Sequence, residues 1–345
     1  MDIPAKIELL HRSCIVVDAH SDYPVHMLAE QMHGNSAVFK QEHLAKLRCA
    51  GVRFETVTVG GDFELGELDL RSPLVTLAII DCATEQIREC EDVMLVQSAD
   101  DLASLRESQR IGIMFALEGA APVTTDLSLL RTYYRLGVRS VMLTHNERNW
   151  FADGCGEPGT GGLSKLGRDL VKEMNRLHMI LDLSHSNERT FYDALDVYSG
   201  TPIASHSNIR HLCDHVRNLT DNQIKAIAER SGVIGMNFLA RFVDSDETKA
   251  TADRLVDHIA YMVNLVGIEH VGLGPDYADY YMEKLAAWAR EQNFPSIKFT
   301  AGLESVSDLP RLTEVLLKRG FSDSEIRKVL GENFLRAYTA NMPLS

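Results

Sequence analysis

The stretch Ile15-Val16-Val17-Asp18-Ala19-His20-Ser21-Asp22 decides how this chain is read. Its first three residues are apolar and β-branched, the pattern of a short strand buried on both faces of a parallel sheet. On an extended backbone, residues two apart share a face, so His20 and Asp22 point the same way at the strand's C-terminal end. An imidazole and a carboxylate aimed at one spot are the beginning of a metal site. The triplet alone is common. Its weight comes from later strands that end in the same residue types.

Working outward, short apolar runs recur after helical segments along the whole chain: Ile15–Val17, Arg53–Val59, Ile111–Leu117, Ser140–Leu143, Met179–Leu183, Pro202–Ala204, Val233–Asn237 and Val271–Leu273. Strands alternating with helices predict a parallel sheet, and eight of them close a (β/α)8 TIM barrel. The helices between them are legible. Ser164 opens one whose apolar face is Leu166, Leu170, Val171, Met174 and Leu177. Thr220 with Gln223, and Ser322 with Glu325, are capping boxes ahead of apolar runs, and Gly232 follows the first of these helices. A helix over 128–136 stops at Gly137. Residues 60–110 are long for one crossover and predict a long helix, roughly 74–96, plus a short one. Residues 277–303, rich in aromatics (Tyr277, Tyr280, Tyr281, Trp288), read as an insertion at the barrel mouth that serves as a lid or pocket wall. With no linker or low-complexity tract, residues 1–345 read as one domain.

Composition narrows the function classes. A net charge of −14 argues against nucleic-acid binding and against docking on anionic membranes. There is no basic leader with an apolar core, no window near the ~20 apolar residues of a membrane span, and no hydrophobic C-terminal tail, so the chain reads as cytoplasmic. The six cysteines are scattered without a Cys-x-x-Cys pair and read as small buried residues. Cys155 stands apart, in a glycine-rich loop near the candidate site.

The strand ends make the case for chemistry. Strand one delivers His20 and Asp22, strand three Glu118, strand four His145, strand five His185, strand six His206 and strand eight Asp276. In a (β/α)8 barrel all of these surround one mouth, where such enzymes carry their active sites. Each has a bland reading taken singly, as a hydrogen-bonded histidine or a capping acid. Together they are a cluster of acids and imidazoles that needs cations to neutralise it. One acid, Glu118, flanked by two sets of ligands suggests a dinuclear centre. Mixed imidazole and carboxylate ligands favour zinc, with manganese or cobalt as substitutes.

These motifs resemble the membrane (renal) dipeptidases, the M19 metallopeptidases. The resemblance runs from about residue 10 to residue 340 and rests on Asp18-Ala19-His20-Ser21-Asp22, Leu117-Glu118-Gly119, Leu143-Thr144-His145-Asn146, Asn149-Trp150-Phe151-Ala152-Asp153-Gly154, Asp182-Leu183-Ser184-His185 and Ser205-His206-Ser207-Asn208. Arg217-Asn218 and Gly331-Glu332-Asn333-Phe334-Leu335-Arg336 add to it. The resemblance implies a dizinc dipeptidase in which His20 and Asp22 bind one zinc ion, His185 and His206 the other, and Glu118 bridges. A hydroxide shared by the two zinc ions would attack the peptide bond, His145 would contact the scissile carbonyl, Arg217 the substrate carboxylate, and Asp276 would handle the proton. It also implies the same barrel, short dipeptide substrates extending to L-Xaa-D-Xaa, and a homodimer. A bland reading of Arg217 pairs it with Asp214 on the surface.

The chain departs from the family after strand eight, where Gly274-Pro275-Asp276-Tyr277-Ala278-Asp279 stands for the usual Gly-Ser-Asp-Phe-Asp-Gly, and at Leu239, where a tyrosine is expected. Both changes line the substrate side of the pocket and bear on specificity. Two rival functions remain: a metal-dependent amidase, lactonase or tautomerase on the same scaffold, and a non-catalytic binding protein that keeps metals for stability. Retention of both His145 and Asp276, which a structural metal does not need, argues against the second rival.

Overall fold

Eight parallel strands follow one another round the sheet in chain order: β1 (Val16–Ser21), β2 (Val52–Gly61), β3 (Ile111–Glu118), β4 (Val138–Met142), β5 (Ile180–Asp182), β6 (Ile203–Ala204), β7 (Val233–Met236) and β8 (Val271–Leu273). The structure is a computed structural model that describes residues 2–278, 280 and 297–344. Each apolar run found in the sequence overlaps one of these strands. Val17 sits opposite Phe54, Glu55 opposite Ile113, Met142 opposite Asp182, and Ile234 opposite Val271. The round is completed between β8 and β1 by an isolated parallel bridge from Ser21 to Tyr277. The expected (β/α)8 barrel is therefore present, nearly closed.

Every residue of β1, β3, β4, β5, β6, β7 and β8 is buried, as strands covered on both faces require. One apolar cluster joins Val17, Phe54, Met114, Ile180, Ile203 and Val233 to Phe334 and Tyr338 of the C-terminal helix Asn333–Asn341. That helix covers the N-terminal ends of the strands, and Tyr338 Oη meets Thr56 Oγ1 at 3.1 Å. The bottom of the barrel is thus plugged by apolar packing, which leaves the C-terminal mouth for polar side chains.

The capping signals read in the sequence have the expected partners. Ser164 Oγ accepts the Gly167 amide at the start of the helix Lys165–Leu177. The reciprocal bonds of both capping boxes are present, at Thr220 with Gln223 and at Ser322 with Glu325. The helix ahead of β4 is Ser128–Arg135, and Gly137 takes φ +110° just beyond it. After Glu229, however, the left-handed residue is Ser231 (φ +59°), not Gly232.

The crossover between β2 and β3 corrects one expectation. The helix is Pro73–Arg88, shorter than the expected 74–96 at its C-terminal end, and Val93–Leu95 is instead strand, pairing in parallel with Ile111–Ile113 as a ninth strand of the sheet. Val93-Met94-Leu95-Val96 is a short apolar run that fits either period, and β3 begins before β4 does, which leaves its first residues an open edge to be paired. A second helix, Ala99–Glu107, follows as expected. Of the aromatic excursion, Tyr277 and Tyr280 are buried against the barrel, whereas Asp279, Tyr281 and Trp288 lie outside the described residues.

Candidate active site

All eight strands send a polar residue to the mouth. His20, Glu118, His145, His185, His206 and Asp276 are joined there by Asp62 beyond β2 and Asn237 beyond β7. Short bonds between strand ends fix their backbones. Asp182 Oδ1 accepts amides from both Ser184 and Ser205 at 3.0 Å, and Ser184 Oγ accepts the His206 amide at 3.2 Å. The carbonyl of His185 accepts the Cys155 amide at 2.7 Å, which accounts structurally for the loop that carries that cysteine. A Cβ on Gly274 or Gly235 would lie 1.8 or 1.9 Å from the Ser205 carbonyl oxygen, so only glycine lets β7 and β8 close on β6. His185 (φ +65°) and Asp276 (φ +62°) both hold left-handed backbone, a costly conformation for such residues that concentrates at functional sites.

One oxygen is the hub. Glu118 Oε1 stands 3.1 Å from His185 Nε2, 3.5 Å from His20 Nε2, 3.6 Å from His206 Nε2 and 3.9 Å from His145 Nε2. His20 Nε2 lies 3.6 Å from Asp22 Oδ1 and 3.7 Å from Asp276 Oδ1. The rings of His20 and His206 stack at 3.9 Å, and the Nε2 atoms of His185 and His206 approach to 3.0 Å. Three overlapping groups bring their ligand atoms within 4.8 Å of one another: His20, Glu118 and His206; Glu118, His145 and His185; His20, Asp22 and Asp276. The structure thus gathers every strand-end residue that sequence reasoning singled out.

The electrostatics suit cations. Burial, reinforced by Asp22 and Asp276, pushes the Glu118 carboxyl well above its ordinary range. Burial, with help from Arg217 and the neighbouring imidazoles, holds His185 and His206 well below theirs. These imidazoles are therefore neutral at neutral pH, with lone pairs available to a metal. Among the described residues, neither nitrogen of His20 nor Glu118 Oε2 has a hydrogen-bond partner, although all are buried. Such orphans are costly unless a ligand completes them. His185 Nδ1 meets Asn146 Oδ1 at 3.0 Å and His206 Nδ1 meets Ser205 Oγ at 2.8 Å, the outer contacts that turn Nε2 toward a metal. The cluster fits metal ions.

The remaining side chains face the same cavity. Asp276 Oδ2 accepts from Asn237 Nδ2 at 2.9 Å, and burial pushes its pKa up to about 6. Burial and then Arg217 push His145 down to about 3. Arg217 is only 5% exposed and donates to the His206 carbonyl at 3.2 Å. Among the described residues it forms no ion pair with Asp214, so the surface pairing is not what the structure contains. Leu239 is buried, its amide donating to Asn237 Oδ1 at 2.7 Å, and the Pro275 carbonyl accepts the Phe238 amide at 3.1 Å.

Sequence reasoning missed Asp62. Its Oδ1 accepts the Ala121 amide at 2.7 Å, and its Oδ2 accepts the His145 amide at 3.2 Å and Asn149 Nδ2 at 2.6 Å. Its own amide donates to the Glu118 carbonyl at 3.1 Å. One carboxylate thereby ties the ends of β2, β3 and β4 together. The signal was available: Gly60-Gly61-Asp62 ends strand two at the same topological position as the other site residues.

The comparisons with known proteins agree with this geometry. The pattern of the membrane dipeptidase family (peptidase family M19) matches residues 4–342. An uncharacterized dipeptidase, C965.12, of Schizosaccharomyces pombe is 32% identical over 94% of this chain and 79% of its own length. Dipeptidase tcpJ of Claviceps purpurea is 35% identical over 70% of this chain, a match that spans 54% of tcpJ itself. Among solved structures, an amidohydrolase from Pseudomonas aeruginosa superposes with a TM-score of 0.83 at 26% identity, covering 97% of this chain and 99% of that one. A metallo peptidase from Rhodobacter sphaeroides, solved with a phosphinate mimic of the dipeptide L-Ala-D-Ala, shares the fold (TM-score 0.81, 24% identity, 95% and 99% covered). Barrel, strand-end cluster and a family match over nearly the whole length point one way, and the chain belongs to the membrane dipeptidase family, peptidase family M19.

Proposed function

We propose that this protein is a metal-dependent dipeptidase that hydrolyses the single peptide bond of dipeptides, including those with a D-residue at the C-terminal position. The observation that carries the reading is the convergence of four imidazoles on Glu118 Oε1 within 3.9 Å, beside a buried guanidinium that lacks a carboxylate partner among the described residues. His20, Asp22, Glu118, His185 and His206 are the residues that would hold two zinc ions. When bound, the pair supplies a water acidic enough to act as nucleophile near neutral pH and a Lewis acid for the carbonyl oxygen. Manganese or cobalt would serve in the same donor set.

The protein's own groups do the rest. Arg217 receives the C-terminal carboxylate through its planar fork, which limits the substrate to short peptides. His145, neutral because its pKa is depressed to about 3, donates a hydrogen bond to the carbonyl oxygen as charge develops there. Asp276, raised to about 6, is poised to accept a proton and return it to the departing amine near neutral pH. Asn237 holds Asp276 Oδ2, which leaves Oδ1 facing His20 and the reacting centre. The Rhodobacter sphaeroides protein with its L-Ala-D-Ala mimic supports extending the substrates to D-residues.

The test is a mixed set of L,L- and L,D-dipeptides incubated with zinc-loaded and chelator-stripped protein, with products read by mass spectrometry and metal content by elemental analysis. Cleavage confined to dipeptides, abolished by the chelator and restored by zinc at two equivalents is the expected result. Absence of cleavage with two equivalents bound would overturn the reading in favour of hydrolysis of a modified peptide or lactone.

A further inference from the structure

Beyond β7 the chain enters a short helix, Ala240–Val243, that brings Arg241 to the barrel mouth. Its guanidinium carbon lies 5.0 Å from the centroid of the Phe242 ring, and that of Arg217 lies 5.6 Å from the same centroid. Two cations packed against one ring repel each other, and an aromatic face offsets only part of that. Elsewhere in this acid-rich chain some partly buried arginines have found carboxylates, as Arg254 with Asp244 at 2.9 Å, and others bond backbone carbonyls, as Arg139 does with those of Gln97, Tyr134 and Val138. Arg217 has the single carbonyl of His206, and Arg241 has neither kind of partner among the described residues. Among the described residues no carboxylate oxygen comes within ion-pairing distance of either guanidinium, and Arg241 makes no side-chain hydrogen bond.

Both charges act on the cavity. Arg217 and Arg241 each depress the pKa of His145, and Asp276 acts back on Arg241. Burial makes the charged form of Arg241 less favourable, and Arg217 adds to this. His215, whose ring centroid lies 4.7 Å from that of Phe242, is pushed down by burial and then by both arginines, so it adds no third positive charge. Asp276 and Glu247 favour the charge of Arg241 from beyond ion-pairing distance, so what this half-buried cation lacks is a direct carboxylate partner, which a ligand can supply.

We propose that Arg217 and Arg241 together form a pocket for two carboxylates on one substrate residue, so that the preferred dipeptides end in aspartate or glutamate. The inference rests on the dipeptidase reading and deepens it: Arg217 takes the terminal carboxylate and Arg241 the side-chain carboxylate. A charge-assisted pair to a fork-shaped donor discriminates against the isosteric amide, because the amide brings donors to a site that already has only donors. The expected preference is about 10–100-fold.

The experiment measures kcat/KM of the zinc-loaded protein for Ala-Asp against Ala-Asn and Ala-Glu against Ala-Gln, with L and D C-terminal residues, in the parent, Arg241→Met and Arg241→Lys. Calorimetry of N-acetyl-aspartate against N-acetyl-asparagine gives the same ratio without catalysis. The acid is favoured in the parent, the ratio collapses toward one in Arg241→Met, and part of it survives in Arg241→Lys, which keeps the charge and loses the fork. A ratio near one in the parent, or a ratio unchanged in Arg241→Met, overturns the proposal. Equal losses on acid and amide substrates also overturn it, by assigning both guanidiniums to the terminal carboxylate. If no dipeptide is cleaved but N-acetyl-aspartate still binds preferentially through Arg241, the pocket stands and the dipeptidase reading falls.

Discussion

Replacing Asp62 separates stability from function at this site. Its carboxylate accepts from the His145 amide, the Ala121 amide and Asn149 Nδ2, so Asp62→Ala leaves three donors seeking partners. Each lost bond is worth about 1 kcal/mol, which would predict a loss of about 3 kcal/mol. A second effect opposes it. Burial raises the Asp62 pKa from the usual 3.8 to about 6, even against those three bonds. The folded state therefore holds the proton more tightly than the unfolded chain does. The stabilisation that goes with the protonated form is fully present below the unfolded value and is lost as pH rises through about 6. The rise corresponds to about 3 kcal/mol. At pH 7.5 the two effects nearly cancel.

The expected outcome is a melting temperature for Asp62→Ala close to that of the parent at pH 7.5. At pH 5, between the two pKa values, the parent gains about half of the full advantage, about 1.4 kcal/mol or about 2 °C for a chain of this length, and the whole of it appears only below the unfolded value of 3.8. Activity does not cancel. With its amide unheld, His145 loses its placement beside the hub, and kcat/KM falls by about 10–100-fold, mainly in kcat. The assay is the difference in melting temperature between parent and variant from pH 4 to pH 8, at equal metal content, beside steady-state kinetics at pH 7.5. Taking the difference removes other groups that titrate nearby, Asp276 among them. A difference that is flat with pH would refute the argument from burial. Unchanged kinetics would refute the positioning role.

Other perturbations probe other parts of the site. Asp276→Asn should lower kcat by about 10²–10⁴-fold while two equivalents of metal remain bound, and hydrolysis at the parental rate would remove its role in proton transfer. Chelation should lower the melting temperature, because the orphaned nitrogens of His20 and Oε2 of Glu118 lose their counterpart. At a thousandfold excess over the dissociation constant, rebinding zinc should restore about 4 kcal/mol, or about 6 °C, and a melting temperature indifferent to zinc would count against a metal centre. Gly274→Ala forces a Cβ to 1.8 Å from the Ser205 carbonyl and should destabilise by about 3 kcal/mol or more. Gly159→Ala, whose Cβ would meet nothing nearer than Arg148 Nη2 at 3.7 Å, is the matched control. Equal melting temperatures for the two would mean that β6 and β8 need no such close approach.

What could be read from the residues, and what could not, follows from the range over which each feature is determined. The strands are visible because a run such as Val57–Val59 or Ile111–Leu117 is buried on both faces whatever its neighbours are, so its pattern is local. The same logic fails for Val93–Val96, where an apolar run is compatible with a last helical turn and with a strand. Only the open edge of β3 decides between them, and that edge is a property of the assembled sheet. The strand-end cluster of imidazoles and carboxylates is legible because a barrel converts one-dimensional position, the end of each strand, into a common place in space. Asp62 obeys that rule too, but aspartate after two glycines reads equally well as a turn, and its partners lie in the loops after β3 and β4. Asn146, Asn237 and Arg241 are hidden for a stronger reason. Their contribution is to hold or complement another side chain, and whether Asn237 meets Asp276 depends on how tightly Gly235 and Gly274 let two strands close on Ser205. Residues that carry charge into the centre announce themselves by type. Those that aim or neutralise it are defined by distances that appear only when the barrel is built.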